Sequence, residues 1–277
     1  DGSTPDGLTA LGGYVYFSAY DSIHGREVWR TNGTTTALVS DINAGASTSS
    51  PQGFTALGSY LYFQADDGTH GAELWRTDGT TTTLVSEIRA GASGSYPQGF
   101  TALDGYLYFQ ANDGTHDAEL WRTDGTTTTL VSDISVGGDS YPSGFTALDG
   151  YLYFRAYDST HGYELWRTDG TTTTLVSDIN AGSNSSSPDL FVTLGGYLYF
   201  QADDGTHGRE LWRTDGTTTT LVSDITVGGV GSYPYGFTAL GGFLYFQASD
   251  GTNGYELWRT DGTTTALVSD INEGGDG

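Results

Sequence analysis

An acidic residue followed three positions later by a ring or amide nitrogen recurs along this chain. The pairs are Asp21 and His24, Asp67 and His70, Asp113 and His116, Asp158 and His161, and Asp204 and His207, with Asp250 and Asn253 as the sixth. A carboxylate and an imidazole at this spacing can orient one another, bind a cation, or hydrogen-bond the hydroxyls of a sugar. The pairs lie in short polar stretches such as DDGTHG, Asp66–Gly71. An Asp in such a stretch also has an architectural use, because its side chain ties the backbone of a tight turn. One Asp and one His do not complete a transition-metal site, and the Asp66–Asp67 spacing is not that of an EF-hand loop. These pairs form the candidate ligand-binding set, with turn-tying as the competing explanation. No cofactor is expected, with calcium at these loops left open.

A second recurring group is Glu-Leu-Trp-Arg followed by a Thr-Asp-Gly-Thr turn, as in Glu73–Thr80. On a strand, Glu73 and Arg76 point to opposite faces. Stacked copies could therefore pair the Glu of one with the Arg of the next, a structural use rather than a catalytic one. The Asp of the turn has the hairpin role that Asp-Gly commonly takes. Charged residues without a counterpart in other copies are Glu87, Arg89, Asp117, Arg155 and Glu273, and they are scattered. No nucleophile–base pair is implied and Cys is absent, so no catalytic residue is assigned and the chain is expected not to be an enzyme.

The elements that position these residues follow from the period. The six tryptophans are separated by 46, 46, 45, 46 and 46 residues, and the six prolines show the same spacings. Such a period marks a repeat architecture. Within the second copy four short strands are expected at Gly53–Leu57, Tyr60–Ala65, Ala72–Thr77 and Thr82–Ile88, rich in β-branched and aromatic residues and separated by Gly-containing turns. Tight connections imply an antiparallel meander, and only Arg89–Gln98 is long enough to reach a new sheet. Leu61, Phe63 and Ala65 face one way and Tyr60 and Tyr62 the other, so both faces of each sheet need cover.

The pattern predicts an all-β, six-bladed β-propeller with four antiparallel strands per blade and near-sixfold internal symmetry. The blades fall at about 1–50, 51–96, 97–141, 142–187, 188–233 and 234–277 of a single domain. The two chain ends are expected in one inter-blade loop, with no strand exchanged at the closure. The loops between second and third strands should share one end of the blades with the long inter-blade loops. That end is the expected binding face.

Composition narrows the partners. The net charge is −24, and all ten basic residues are Arg. Such a surface repels phosphate backbones and anionic lipids, which argues against nucleic acid and anionic membrane surfaces as partners. Without Cys there is no disulfide framework from which to read a compartment. The absence of Lys beside abundant acid suits a saline or calcium-rich medium, with stability expected to rise with added salt. The chain begins at Asp1 without Met, as expected of a processed or excised segment.

ELWRTDGT, present in five near-identical copies with EVWRTNGT (Glu27–Thr34) as the sixth, resembles the ELWxxDGT repeat of large bacterial surface or secreted proteins. The order of motifs is also similar to bacterial repeat propellers of the YVTN type. The resemblance spans essentially the whole chain. It implies a propeller in an extracellular or cell-surface setting and supplies no catalytic residue. The expected function is a non-catalytic interaction or assembly scaffold acting on other proteins or glycans at the loop face. The alternative is a multivalent, lectin-like carbohydrate- or calcium-dependent binder, with Tyr96, Tyr141 and Tyr233 as stacking residues. A hydrolase or lyase with an axial site ranks third. Oligomeric state is not readable from the sequence.

Overall fold

The computed structural model describes residues 2–271, which form strands and turns and no helix. They build six four-stranded sheets, each pairing its strands in chain order. In the second sheet the strands are Gln52–Leu57, Tyr60–Asp66, Ala72–Thr77 and Thr82–Ser86, all paired antiparallel. This is the six-bladed β-propeller fold, with near-identical blades. The first blade runs from Asp6–Leu11 to Thr36–Ser40 and the last from Tyr235–Leu240 to Thr265–Ser269, so neither borrows a strand. The segment expected to hold both chain ends lies partly outside the described residues. Two compact units each contain three blades, one up to Pro142 and one from Ser143.

Alternation along the strands makes the faces. In the first unit, Tyr16 and Val28 of blade one pack against Phe54, Leu61 and Phe63 of blade two. In the second, Tyr199 and Leu211 of blade five meet Leu244 and Phe246 of blade six. Each fully buried ring or branched side chain contributes about 1.5–3 kcal/mol through removal from water. Close approach of the first strands requires glycine. A Cβ on Gly53, at φ +72°, would sit 2.7 Å from the Phe100 ring of the next blade.

The opposite end closes with an Asp-Gly hairpin in five blades and with Asn32–Gly33 in blade one. Asp78 Oδ1 accepts the N–H groups of Thr80 and Thr81 at 2.8 Å each. Gly79 takes φ +87°, and its N–H donates to Thr77 Oγ1 at 3.0 Å. Arginine holds the neighbouring hairpin: Arg76 donates to the Gly125 carbonyl of blade three at 2.9 Å, while its guanidinium lies 4.3 Å above the Tyr60 ring.

The expected pairing of Glu with Arg across blades does not form. The faces meet as anticipated, but Glu73 and Arg76 occupy opposite ends of their strand, about 10 Å apart at a strand's rise per residue. The glutamate stays within its own blade. Ile88 and Arg89 donate their N–H groups to Glu73 at 3.0 and 3.1 Å, and the Ser95 hydroxyl donates at 2.6 Å. This explains why the fourth strand ends at Ser86 rather than Ile88: the Ile88 N–H has left the ladder for a carboxylate.

Candidate functional site at the loop end of the blades

The second strand of blade two ends at Asp66 and the third begins at Ala72. Five residues must reverse the chain between them. Asp67 organises the turn: its Oδ1 accepts the N–H groups of Thr69 and His70, both at 2.9 Å. Its Oδ2 lies 2.7 Å from His70 Nδ1. The ionised carboxylate accepts there, so Nδ1 carries the proton and Nε2 is left without a protein partner. Turn-tying and orientation of the imidazole are therefore two uses of one carboxylate.

Every predicted pair comes together in this way. The Nδ1–Oδ2 distance is 2.8 Å for His24 and Asp21, for His116 and Asp113 and for His161 and Asp158, and 2.7 Å for His207 and Asp204. In blade six the Asn253 amide donates to Asp250 Oδ2 at 2.8 Å. Blades one and four read Asp-Ser rather than Asp-Gly after the second strand, which runs through Asp21 or Asp158. The same contact forms there, so the spacing rather than the glycine builds the pair.

Electrostatics follow from the contact. The carboxylate partner raises His70 above the ordinary imidazole range, acting against partial desolvation. Burial is the largest single influence on Asp67 and acts upward, but the N–H and imidazole of His70 and the Thr69 N–H together hold it below the usual range. For Asp21 the hydrogen bond from His24 is the leading cause of the same lowering.

The loop is seated on the long inter-blade loop. A Cβ on Gly71 would lie 2.5 Å from Gly94 N and 2.8 Å from Ala92 O. Beneath them lies the glutamate anchor, most strongly perturbed in blade three. Glu119 accepts from the N–H groups of Ile134, Ser135 and Ser140 and from the Ser140 hydroxyl, at 2.7 to 3.4 Å. Burial nevertheless pushes it up to about 7. The serine two residues before proline, as in Ser49, Ser95 and Ser140, is a site component that sequence reasoning missed. Its recurrence at the blade period was the available signal.

Tyr96, Tyr141 and Tyr233 belong to the same end of their blades. Their N–H groups bond Ala72, Ala118 and Arg209 carbonyls at the start of the third strands, at 3.0, 3.1 and 3.0 Å. All three rings are exposed, on backbones with φ of 50°, 45° and 50°. The residues unique to one copy are spread out. Arg89 NH1 lies 3.5 Å from Asn112 Oδ1, Glu87 accepts the Gly91 N–H at 2.7 Å, and Arg155 sits 5.3 Å from the Tyr163 ring. Asp117 takes φ 57°, and Glu273 lies outside the described residues. Among the described residues no group of three or more His, Cys, Asp or Glu is arranged to hold a metal. For calcium, each loop offers a paired carboxylate whose oxygens are already engaged by its own turn and by the imidazole, or in blade six by the Asn253 amide.

One polar cavity breaks the repetition. About 410 Å³ opens beside Thr4, Asp6, Ser18, Arg26 and Gln52. Arg26 donates to the Thr4 carbonyl at 3.0 Å and to Ser18 Oγ at 3.3 Å.

No protein-family model matches the sequence, and no curated protein matches it either. Solved structures do resemble the fold. The computationally designed protein Ika8 aligns over 95% of this chain and 73% of its own, at 15% identity and a TM-score of 0.54. A puromycin-hydrolyzing peptidase of Mycobacterium tuberculosis aligns over 95% of this chain at 11% identity and TM-score 0.56, and the GH74 enzyme of Niastella koreensis over 96% at 14% and 0.51. This chain spans 46% and 45% of those two chains, less than half of either. At such identities the likeness concerns the fold alone. It overturns the expectation that the chain is not an enzyme: enzymes share this fold, and a repeated blade pattern without an evident nucleophile is no ground for exclusion.

Proposed function

We propose that the chain is an interaction or assembly module of an extracellular protein, binding through the loop end of its blades. The observation that carries this reading is the uniform geometry of the loop pairs. Six near-identical sites, each holding a partly exposed nitrogen ligand or donor on a carboxylate, suit a repeated partner bound with avidity. Rigid strands fix the loops, so little ordering cost falls on binding. The acidic surface and the ELWRTDGT repeat support the extracellular setting.

A lectin-like variant of this reading is favoured by Tyr96, Tyr141 and Tyr233. Exposed rings beside hydrogen-bonding loops match the way sugars are held, by stacking on one face and polar contacts at the hydroxyls. Their occurrence in three blades predicts fewer carbohydrate sites than loop pairs.

A glycan array probed with and without calcium tests both forms, with release of reducing sugar read on the same glycans. Saturable binding weakened by Tyr96→Ala supports the lectin form. Glycan binding that survives both Tyr96→Ala and His70→Ala would place the site away from the loops and overturn the assignment. Sugar release would instead identify a glycoside-cleaving activity.

A further inference from the structure

Four of the ten arginines lie outside the hairpin clamps, and three of those four are hydrogen-bonded. Arg26 donates to the Thr4 carbonyl at 3.0 Å, Arg209 to Gln201 Oε1 at 3.1 Å and Arg89 to Asn112 Oδ1 at 3.5 Å. Arg155 donates to nothing among the described residues, and its Nε is buried without a partner. The chain carries 34 Asp and Glu residues, yet none of the described ones forms an ion pair with it. A guanidinium is all donor and no acceptor, so a half-buried one without an acceptor is unfavourable.

The surroundings are particular to blade four. Arg155 stands where blades two, three and five carry Gln64, Gln110 and Gln201. Beside it, Tyr163 lies near the start of the third strand, where blades two and three have Ala72 and Ala118. The guanidinium is 5.3 Å from the Tyr163 ring, which is 5.2 Å from that of Tyr157. Neither phenol hydroxyl has a partner among the described residues. The lead-in to blade five closes against this wall, where the Ser187 N–H donates to the Tyr163 carbonyl at 3.0 Å. Two residues on comes the exposed Asp189, one carboxylate oxygen of which accepts the Leu190 N–H at 2.9 Å. The corresponding walls of blades one and two, Ser18, Arg26, Ser50 and Gln52, line the 410 Å³ cavity. There the guanidinium sits on the third strand and is answered by Thr4 and Ser18. Blade four moves it to the second strand, sets a ring in its former place and leaves it unanswered.

We infer that the cleft between blades four and five binds a sugar acid, with its carboxylate on Arg155 and its ring against Tyr163. Guanidinium donors match a carboxylate in geometry and charge, and a tyrosine ring offers an apolar face to a sugar. The two phenol hydroxyls and the second oxygen of Asp189 serve the sugar hydroxyls. A net charge of −24 disfavours polyanions, so a singly charged uronate suits this lone cation better than a phosphate or a sulfated chain. The site occurs once and uses neither the loop pairs nor Tyr96, Tyr141 and Tyr233, so it stands even if those bind nothing.

NMR titration with methyl glucuronide and methyl galacturonide tests this. One of the two is expected to saturate a single site with a Kd of about 1 mM. Methyl glucoside, which lacks the carboxylate, and acetate and inorganic phosphate, which lack the ring, are expected to bind about tenfold more weakly or worse. Arg155→Gln and Tyr163→Ala each install the residue that other blades carry at that position. Each is expected to weaken uronide binding about tenfold or more, whereas His70→Ala leaves it unchanged. Thermal unfolding confirms that the variants remain folded. Failure of both uronides to bind overturns the proposal, as does binding that survives Arg155→Gln. Equal affinity for acetate or phosphate would reduce the cleft to an anion site and overturn the sugar assignment. Equal affinity for methyl glucoside would overturn the role of the carboxylate.

Discussion

The two ends of each blade use the same capping chemistry to different effect. At the hairpin end Asp124 Oδ1 receives the N–H groups of Thr126 and Thr127, both at 2.7 Å. At the loop end Asp113 Oδ1 receives those of Thr115 and His116, both at 2.8 Å. The hairpin then disappears under the neighbouring blade, where the tyrosine hydroxyl and arginine of that blade close over its glycine. The loop stays at the surface and uses its second carboxylate oxygen to aim an imidazole. An Asp-capped turn is therefore neither structural nor functional in itself. What packs on it decides which it becomes.

The contrast is broken most severely at the hairpin. Gly125→Ala places a Cβ against Tyr62 and Arg76 and puts alanine at φ +89°, at an expected cost of about 3 kcal/mol from overpacking and left-handed backbone together. Gly33→Ala shares the backbone penalty, at φ +85°, and lacks the clash, so about 1 kcal/mol is expected. Urea unfolding of the two variants separates the terms. Equal losses would mean that the neighbouring blade does not close over the turn.

A pH series distinguishes the ends next. Glu119, raised to about 7 by burial, and His116, raised chiefly by its bond to Asp113, both belong to the loop end. Each holds a proton more readily folded than unfolded. Their contribution is complete below the unfolded values, 4.5 for the glutamate and 6.5 for the imidazole, and is lost as pH rises through the higher folded values. Aspartates at both ends act oppositely. Asp169, lowered to about 2 chiefly by the Thr171 hydroxyl, supplies stability above 3.8 that is lost as pH falls toward the folded value. Tm is expected to rise from about pH 8 to about pH 5 and to fall again below about pH 4. Glu119→Gln should make the first limb shallower, the other raised glutamates and histidines keeping the rest of it, and leave the second limb unchanged.

The smallest effects sharpen the division between fold and function. Asp78→Ala removes two turn hydrogen bonds and is expected to lower the midpoint of urea unfolding. His70→Gln removes only a partly exposed imidazole and is expected to shift that midpoint less than Asp78→Ala does. If His70→Gln proved the more destabilising of the two, the loop end would be a structural fastening and its binding role would fail.

Much of this was legible beforehand. The pairing of Asp67 with His70 followed from a spacing that an Asx turn satisfies locally, and its repetition in Asp-Ser loops shows that no distant contact is needed. The placement of long and short loops at one end followed from chain order in an antiparallel meander. Glu73 was misread. Its face was correct, but its partner depended on where the long loop returned, and the amides of Ile88 and Arg89 and the Ser95 hydroxyl reached the carboxylate instead of an arginine.

Periodic chemistry in the sequence determined the repeat, the four strands of each blade, the alternation of Tyr–Leu and Phe–Trp faces and the aspartates that tie each turn. All of these depend on neighbours within a few residues or on one period. Tertiary structure alone decided that the glutamates anchor loops and the arginines clamp hairpins. A residue's face is set by the two-residue period of a strand, but the atoms that meet it come from a chain segment tens of residues away.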